Sequence, residues 1–213
     1  MDEGVTIEGL DGLQVITNGA NGQQFEDLQS YMLLLEHEDD VIESVLELRA
    51  EWVLSSSSPL SLAMDKQIAE TLSLPLGSYE THIVADLSDV QKQAVNAIFD
   101  VTQRILNLRG ISHLVVYRGL CWNERPDWMD EHLEVGHRLK LEDTRTLSSW
   151  SFDRNIANHF AANKHFGVVI KAEMSIKRVF AIITILDEAE SVCITHNQDD
   201  VYEIVSIYRR GTE

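Results

Sequence analysis

The spacing of apolar residues changes once along this chain, close to Gly110. Up to that point they recur every three or four positions, the period of a helix with one buried face. Leu28, Met32 and Leu35 follow this spacing, and so do Val41, Val45 and Leu48, with acidic residues on the opposite face. The stretch from Phe25 to Leu54 is therefore expected to form one bent helix or two short ones. Ser55 to Pro59 reads as a loop, and a further helical stretch runs from Leu62 to Leu72. The clearest helix is Ser88 to Leu108: Ser88 and Gln91 have capping-box spacing, and Val90, Ala94, Ile98, Val101 and Ile105 make one stripe. Gly110 then stands where a helix commonly ends. Before all this, Val5, Ile7, Leu13 and Val15 alternate weakly around two glycines, which suits a hairpin or a loose arm.

Beyond Gly110 the runs are short, apolar and β-branched. Strands are predicted at 113–119, 166–174, 178–183, 191–195 and 201–208, with one helix, Asp153 to Lys164, among them. Helices first and strands afterwards make an α+β pattern with a mostly antiparallel sheet, not an alternating parallel one.

Composition narrows the classes. The 213 residues are 44% apolar, ample for a core, and carry a formal net charge of −18. Such a charge repels polyanions, so generic binding to duplex nucleic acid, which needs Lys and Arg on phosphates, is not expected. Most of the carboxylates read as solvated surface. Cys121 and Cys193 are the two cysteines, neither in a CxxC, which suits a reducing cytoplasm. The first residues lack the apolar core of a secretion signal, and no run of 18 apolar residues offers a membrane span.

Few residues invite chemistry. Arg118 ends an apolar strand before Gly119, where a guanidinium can hold an anion and a glycine lets a ligand near the backbone; by themselves the two read as a surface arginine before a turn. Glu190 opens a strand and shares a side with Val192 and Ile194, with Glu188 on the same side if the strand extends back. A solvated acidic turn is the alternative for that stretch. Ser148, Ser149 and Ser151 surround Trp150 just before a helix, three hydroxyls where a cap needs one. No base adjoins them, which speaks against a serine hydrolase. His132 and His137 bracket a carboxylate at a spacing that does not put both on one helix face, so no zinc site is expected. Phosphate-loop, dinucleotide-fold and nucleophile-elbow motifs are absent from the sequence.

Taken in order, VVYRGL, LSSWSFDRNIANHF and DEAESVCI resemble the R-S-E class of ADP-ribosyltransferases, the arginine-modifying bacterial toxins and phage enzymes. The family's strand-ending arginine corresponds to Arg118, its S-x-S motif to Ser149-Trp150-Ser151 and its E-x-E motif to Glu188-Ala189-Glu190. Ser149 lies 31 residues after Arg118 and Glu190 lies 41 after Ser149, intervals ordinary for the family. Phe160 matches the helix phenylalanine that packs on nicotinamide, and VVIKAEM matches the strand that follows. The resemblance covers about residues 88–210; Trp150 and Ser191 depart from the commoner residues, and residues 1–87 match nothing in the pattern.

The resemblance implies a fold: a helical extension at 1–87, then at 88–213 a β-sandwich of two mostly antiparallel sheets with flanking helices. It implies NAD+ as co-substrate, no metal, and transfer of ADP-ribose to an arginine of a target protein in the cytoplasm of the producing or target cell. Host translation or transcription machinery is among the candidate targets. Glu190 would stabilise the positive charge of the reacting ribose and hold its 2′-hydroxyl, Arg118 would grip the diphosphate or its ribose, and the Gly119 backbone would bind the carboxamide. Ser149 would orient Glu190 and the ribose, Ser151 would brace the strand–helix junction, Trp150 would pack at the sheet edge, and Ser148 would be structural. Glu188 would face the acceptor arginine. NAD+ hydrolysis, transfer to nucleic acid and an inactive interaction module are the competing readings.

Overall fold

A computed structural model of the chain describes residues 20–75, 85–141, 145–184, 190–195 and 200–209. The weakly alternating segment before residue 20 and Glu188 lie outside them. Among the described residues the chain is α+β, with five α-helices and one seven-stranded antiparallel sheet.

The helical first part resolves into three helices. α1 (Ala20–Glu36) and α2 (Asp39–Leu54) are two separate helices that break around His37 and Glu38. α3 (Pro59–Thr71) begins three residues earlier than its apolar spacing suggests. Pro59 fits the first turn, where its missing N–H is no loss, and the Ser58 hydroxyl accepts from the Ser61 N–H at 3.2 Å. α4 (Asp89–Leu108) carries the capping box in full: the Ser88 hydroxyl accepts from the Gln91 N–H, and the Gln91 side chain accepts from the Ser88 N–H. It ends at Gly110, whose φ of +69° takes the chain out of the helix. Ala94, Ile98, Val101 and Ile105 are fully buried, and α4 packs between α1–α3 on one side and the sheet on the other. One apolar core runs through both parts, from Phe25 and Val45 to Ile170 and Val192. No helix among the described residues is long and apolar enough to cross a membrane.

The strands are β1 (His113–Trp122), β2 (Arg138–Lys140), β3 (Leu147–Ser151), β4 (Phe166–Ser175), β5 (Val179–Ile183), β6 (Glu190–Ile194) and β7 (Val201–Arg209), with α5 (Arg154–Ala161) between β3 and β4. Their order across the sheet is β2-β7-β4-β1-β3-β6-β5. β1 and β4 pair along their whole length, from His113↔Ser175 to Trp122↔Phe166. β3 and β6 pair from Leu147↔Ile194 to Ser151↔Glu190. Between β1 and β3 the ladder narrows to one register pair, Tyr117↔Ser151. That pair joins four strands to three, so the ladder is continuous where two sheets were expected, with a seam in the middle. β2 is a three-residue strand too short to leave a mark in the apolar pattern.

The sheet is covered on both faces. Leu114, Val116, Val168 and Ile170 belong to the main core, whereas Tyr117, Val169 and Val205 face α5 through Ala157 and Ala161. α5 sits so low on the strands that no side chain fits beneath it at Gly119 or Gly167. A β-carbon at Gly119 would overlap the Ala157 carbonyl oxygen, and one at Gly167 would overlap the Ala161 carbonyl oxygen. Gly167→Ala is accordingly expected to lower the melting temperature by about 5–10 °C, roughly 2–3 kcal/mol in a chain of this size. Adding Ala161→Gly restores none of it, because the obstruction is backbone; recovery of the melting temperature in that double variant would contradict the helix seat.

Candidate active site

A cavity of about 540 Å³ opens along the seam between β1 and β3, within the roughly 300–1,000 Å³ range of small-molecule sites. Tyr117, Arg118 and Gly119 of β1 form one side, and Leu147 to Ser151 of β3 with Glu190 of β6 form another. Ile156, Ala157 and Phe160 of α5 contribute from the sheet's outer face. Trp52 to Leu54 of α2 and Ser55 to Ser57 of the α2–α3 turn close it from the helical part. The cavity exists because β1 and β3 stay together at one pair and diverge elsewhere.

Six of the residues singled out from sequence, Arg118, Gly119, Ser149, Ser151, Phe160 and Glu190, line this one cavity. Glu188 lies outside the described residues. Antiparallel pairing explains the grouping of the polar ones. Ser151 stands opposite Glu190, and Ser149 opposite Val192, so both serines lie on the carboxylate's face of the sheet, Ser149 on the diagonal. Phe160 is half exposed at the rim, with 51% of its surface open.

The serine cluster divides its work. The Ser151 hydroxyl accepts from the Asp153 N–H at 3.0 Å and thereby fixes the strand-to-helix bend. The helix cap itself is Asp153, whose carboxylate accepts from the Asn155 N–H at 2.7 Å. Ser148 points the other way and shares a 2.8 Å hydrogen bond with Thr195, a structural contact. Trp150 is not at a sheet edge. β3 is an interior strand, so the indole is buried in the core, with its ring centroid 5.2 Å from that of Tyr202. Gly119 also has a different reason from the one its position suggested: its missing side chain makes room for α5, not in the first place for a ligand.

Arg118 is the electrostatic centre. It is half buried, and no hydrogen bond or ion pair joins its guanidinium to any described residue. Burial pushes its pKa well below the ordinary arginine value, to about 10; Tyr202 opposes the shift, Arg145 adds to it, and Cys193 opposes it. The folded value lies below the unfolded one. Holding this charge therefore penalises the fold at every pH below about 10, and the penalty fades only as pH rises from there towards the ordinary arginine range. An anion in the cavity would relieve the penalty at neutral pH. Cys193 behaves oppositely: burial, partly offset by its contact with Ser191, raises the thiol to about 12, so it stays protonated and is no nucleophile.

Two residues of the cavity escaped the sequence reading. Trp52 donates its indole N–H to a Glu190 carboxylate oxygen at 3.0 Å. Arg145 lies with its guanidinium 5.5 Å from the Trp52 ring centre and pairs at 2.7 Å with Asp65, a fully buried carboxylate of α3. Asp65 also accepts from the Leu147 N–H, tying α3 to β3. Both residues are separated from the motifs they serve by the fold, and neither belongs to a local pattern. The only available signal was a tryptophan on a helix's buried face, whose N–H must find an acceptor.

In chemical terms the cavity offers one cation with no ion pair among the described residues, one carboxylate on a hydrogen-bonded support, hydroxyls on the carboxylate's face and an aromatic rim. No histidine is among its described lining residues. No cluster of three or more potential metal ligands occurs among them either. This set suits an anionic ligand in which positive charge develops near Glu190.

Replacing Arg118 by Met is expected to raise the melting temperature of the free protein by about 2–4 °C, the equivalent of about 1 kcal/mol. The same change abolishes the stabilisation that inorganic pyrophosphate gives the unmodified chain. Equal stabilisation of both by pyrophosphate would remove the anion assignment. Compared with known proteins, the chain matches no protein-family model, no curated protein and no solved structure.

Proposed function

We propose that the protein is an NAD+-dependent mono-ADP-ribosyltransferase that modifies arginine side chains of target proteins. The observation that carries this reading is that Arg118 of β1, Ser149 of β3 and Glu190 at the start of β6 line one cavity, although β1 runs on to Trp122 and so does not end at the arginine as the R-S-E pattern has it. The seam supports it too. A four-strand and a three-strand half held by one pair are a short step from the two-sheet sandwich of that family, with the cleft at their junction.

The roles follow from charge. Arg118 holds the diphosphate, an anion that suits its half-buried guanidinium. Phe160 covers the nicotinamide ring at the rim. The bond between the ribose C1′ and the ring nitrogen breaks, and nicotinamide leaves with the bonding pair. Positive charge spreads over C1′ and the ribose oxygen, and the Glu190 carboxylate stabilises it while accepting from the 2′-hydroxyl. Ser149, diagonal to Glu190 across the ladder, orients the ribose. An arginine nitrogen of the target then bonds to C1′ and loses a proton. The arginine preference rests on Glu188 of the E-x-E motif, and the surplus negative charge of the chain suits a basic target surface.

Glu190→Gln keeps an oxygen for the Trp52 N–H and removes only the charge. It should lower nicotinamide release by about 10²–10³-fold while leaving the melting temperature close to the original. Mass spectrometry of a cell lysate treated with NAD+ and enzyme should find ADP-ribose on arginines with the unmodified chain and not with the variant. Adducts confined to RNA would overturn the protein-arginine reading, and free ADP-ribose alone would leave a hydrolase.

A further inference from the structure

The helices that match no part of the motif pattern hold both ends of the segment that delivers Glu190. Strand β5 ends at Ile183 and β6 begins at Glu190. At the first end, the Thr184 N–H and hydroxyl both donate to one oxygen of Glu26, at 3.2 and 3.1 Å. Glu26 belongs to α1 and is held by Arg49 of α2 through contacts of 2.6 and 2.8 Å to its two oxygens. At the second end, Trp52 of α2 donates to Glu190. Arg49 and Trp52 are three residues apart and both buried, so they share one face of α2. On the cavity side Arg145 braces the Trp52 ring, and Asp65 anchors Arg145.

We infer that the Arg49–Trp52 face of α2 is a clamp that grips the β5–β6 connection at Thr184 and Glu190 and so sets the position of the Glu190 carboxylate. Glu26, Arg49 and Trp52 are positioning residues. None needs to touch the ligand: Trp52 acts through Glu190, and Arg49 acts through Glu26 on Thr184. The role of the clamp in turnover rests on the function proposed above. A partly buried ion pair more than 130 residues away in sequence is more than a connection between two strands ordinarily needs. It is intelligible if the carboxylate at the end of that connection must be held to within a fraction of an ångström. The N-terminal helices are then part of the active site, not an appended module.

The test uses the full chain. Trp52 is replaced by benzothienylalanine, which keeps the ring's shape and lacks the N–H. In a second variant Arg49→Met and Glu26→Gln remove both charges of the pair together, so that neither is left buried alone. Each is expected to lower kcat for nicotinamide release by about 10–10²-fold with KM changed less than about threefold, because positioning acts on the transition state more than on binding. Combining the residue-52 change with Glu190→Gln adds no further loss, since both act on one carboxylate. Hydrogen exchange of the Thr184 amide and of β6 becomes faster in the clamp variants, while α4 keeps its protection. A variant pair with normal turnover and unchanged exchange, beside an inactive Glu190→Gln, overturns the clamp and leaves the proposed function standing. Loss of α4 protection in both variants overturns it as well, since the contacts then support the whole fold and not the connection. Full activity in Glu190→Gln, or no nicotinamide release from the unmodified chain, overturns the proposed function and the clamp's role in turnover with it.

Discussion

One backbone pair, Tyr117 with Ser151, keeps the two halves of the sheet in register. Everything proposed for the cavity depends on it. If β1 and β3 were paired along their length, as β1 and β4 are, the ladder would close and no cleft would open between Arg118 and the serines. If they did not pair at all, the sheet itself would no longer fix the distance from the guanidinium on one half to the carboxylate on the other. A single pair satisfies both conditions, and its place is set by neighbours. The ten-residue ladder with β4 holds β1, and the ladder with β6 holds β3.

Because the seam itself is weak, its stiffness comes from elsewhere. Asp65 is fully buried on α3, pairs with Arg145 just before β3, and also takes the first N–H of that strand. A buried charge is tolerable only when paired and hydrogen-bonded, and this one meets both conditions across two layers of the fold. The helical layer and the three-strand half are thus locked to each other, and α4, buried between helices and sheet, carries the lock across. The division of the chain near residue 87 marks where the motif resemblance begins. It does not mark a break in the core.

The helices were legible because each carries its own signal. Ser88 and Gln91 announce α4, its stripe gives the buried face, and Gly110 gives the stop. The long strands were legible from β-branched runs such as VVIK. What could not be read was whatever depends on pairing. The three-residue β2 owes its existence to β7 alongside it, not to its own residues. The joining of two expected sheets into one turns on a single pair that no pattern encodes. Trp150 was placed at an edge because nothing local says that β3 is an interior strand. Among site residues, Arg118, Ser149 and Glu190 were found through motif order. Trp52 and Arg145 were missed because their partners lie 138 and 80 residues away.

The seating of α5 has a consequence for the mouth of the cleft. The helix rests on the strands through backbone at Gly119 and Gly167, with no side chain between to change rotamer or be exchanged for a larger or smaller one. The height of α5 above the sheet is therefore a fixed dimension of the molecule. Breathing of side chains does not widen or narrow that rim, and variation on the solvent side of α5, at Asn155 or His159, leaves it where it is. At that edge the half-exposed ring of Phe160 stands on a seat whose height the backbone contacts set.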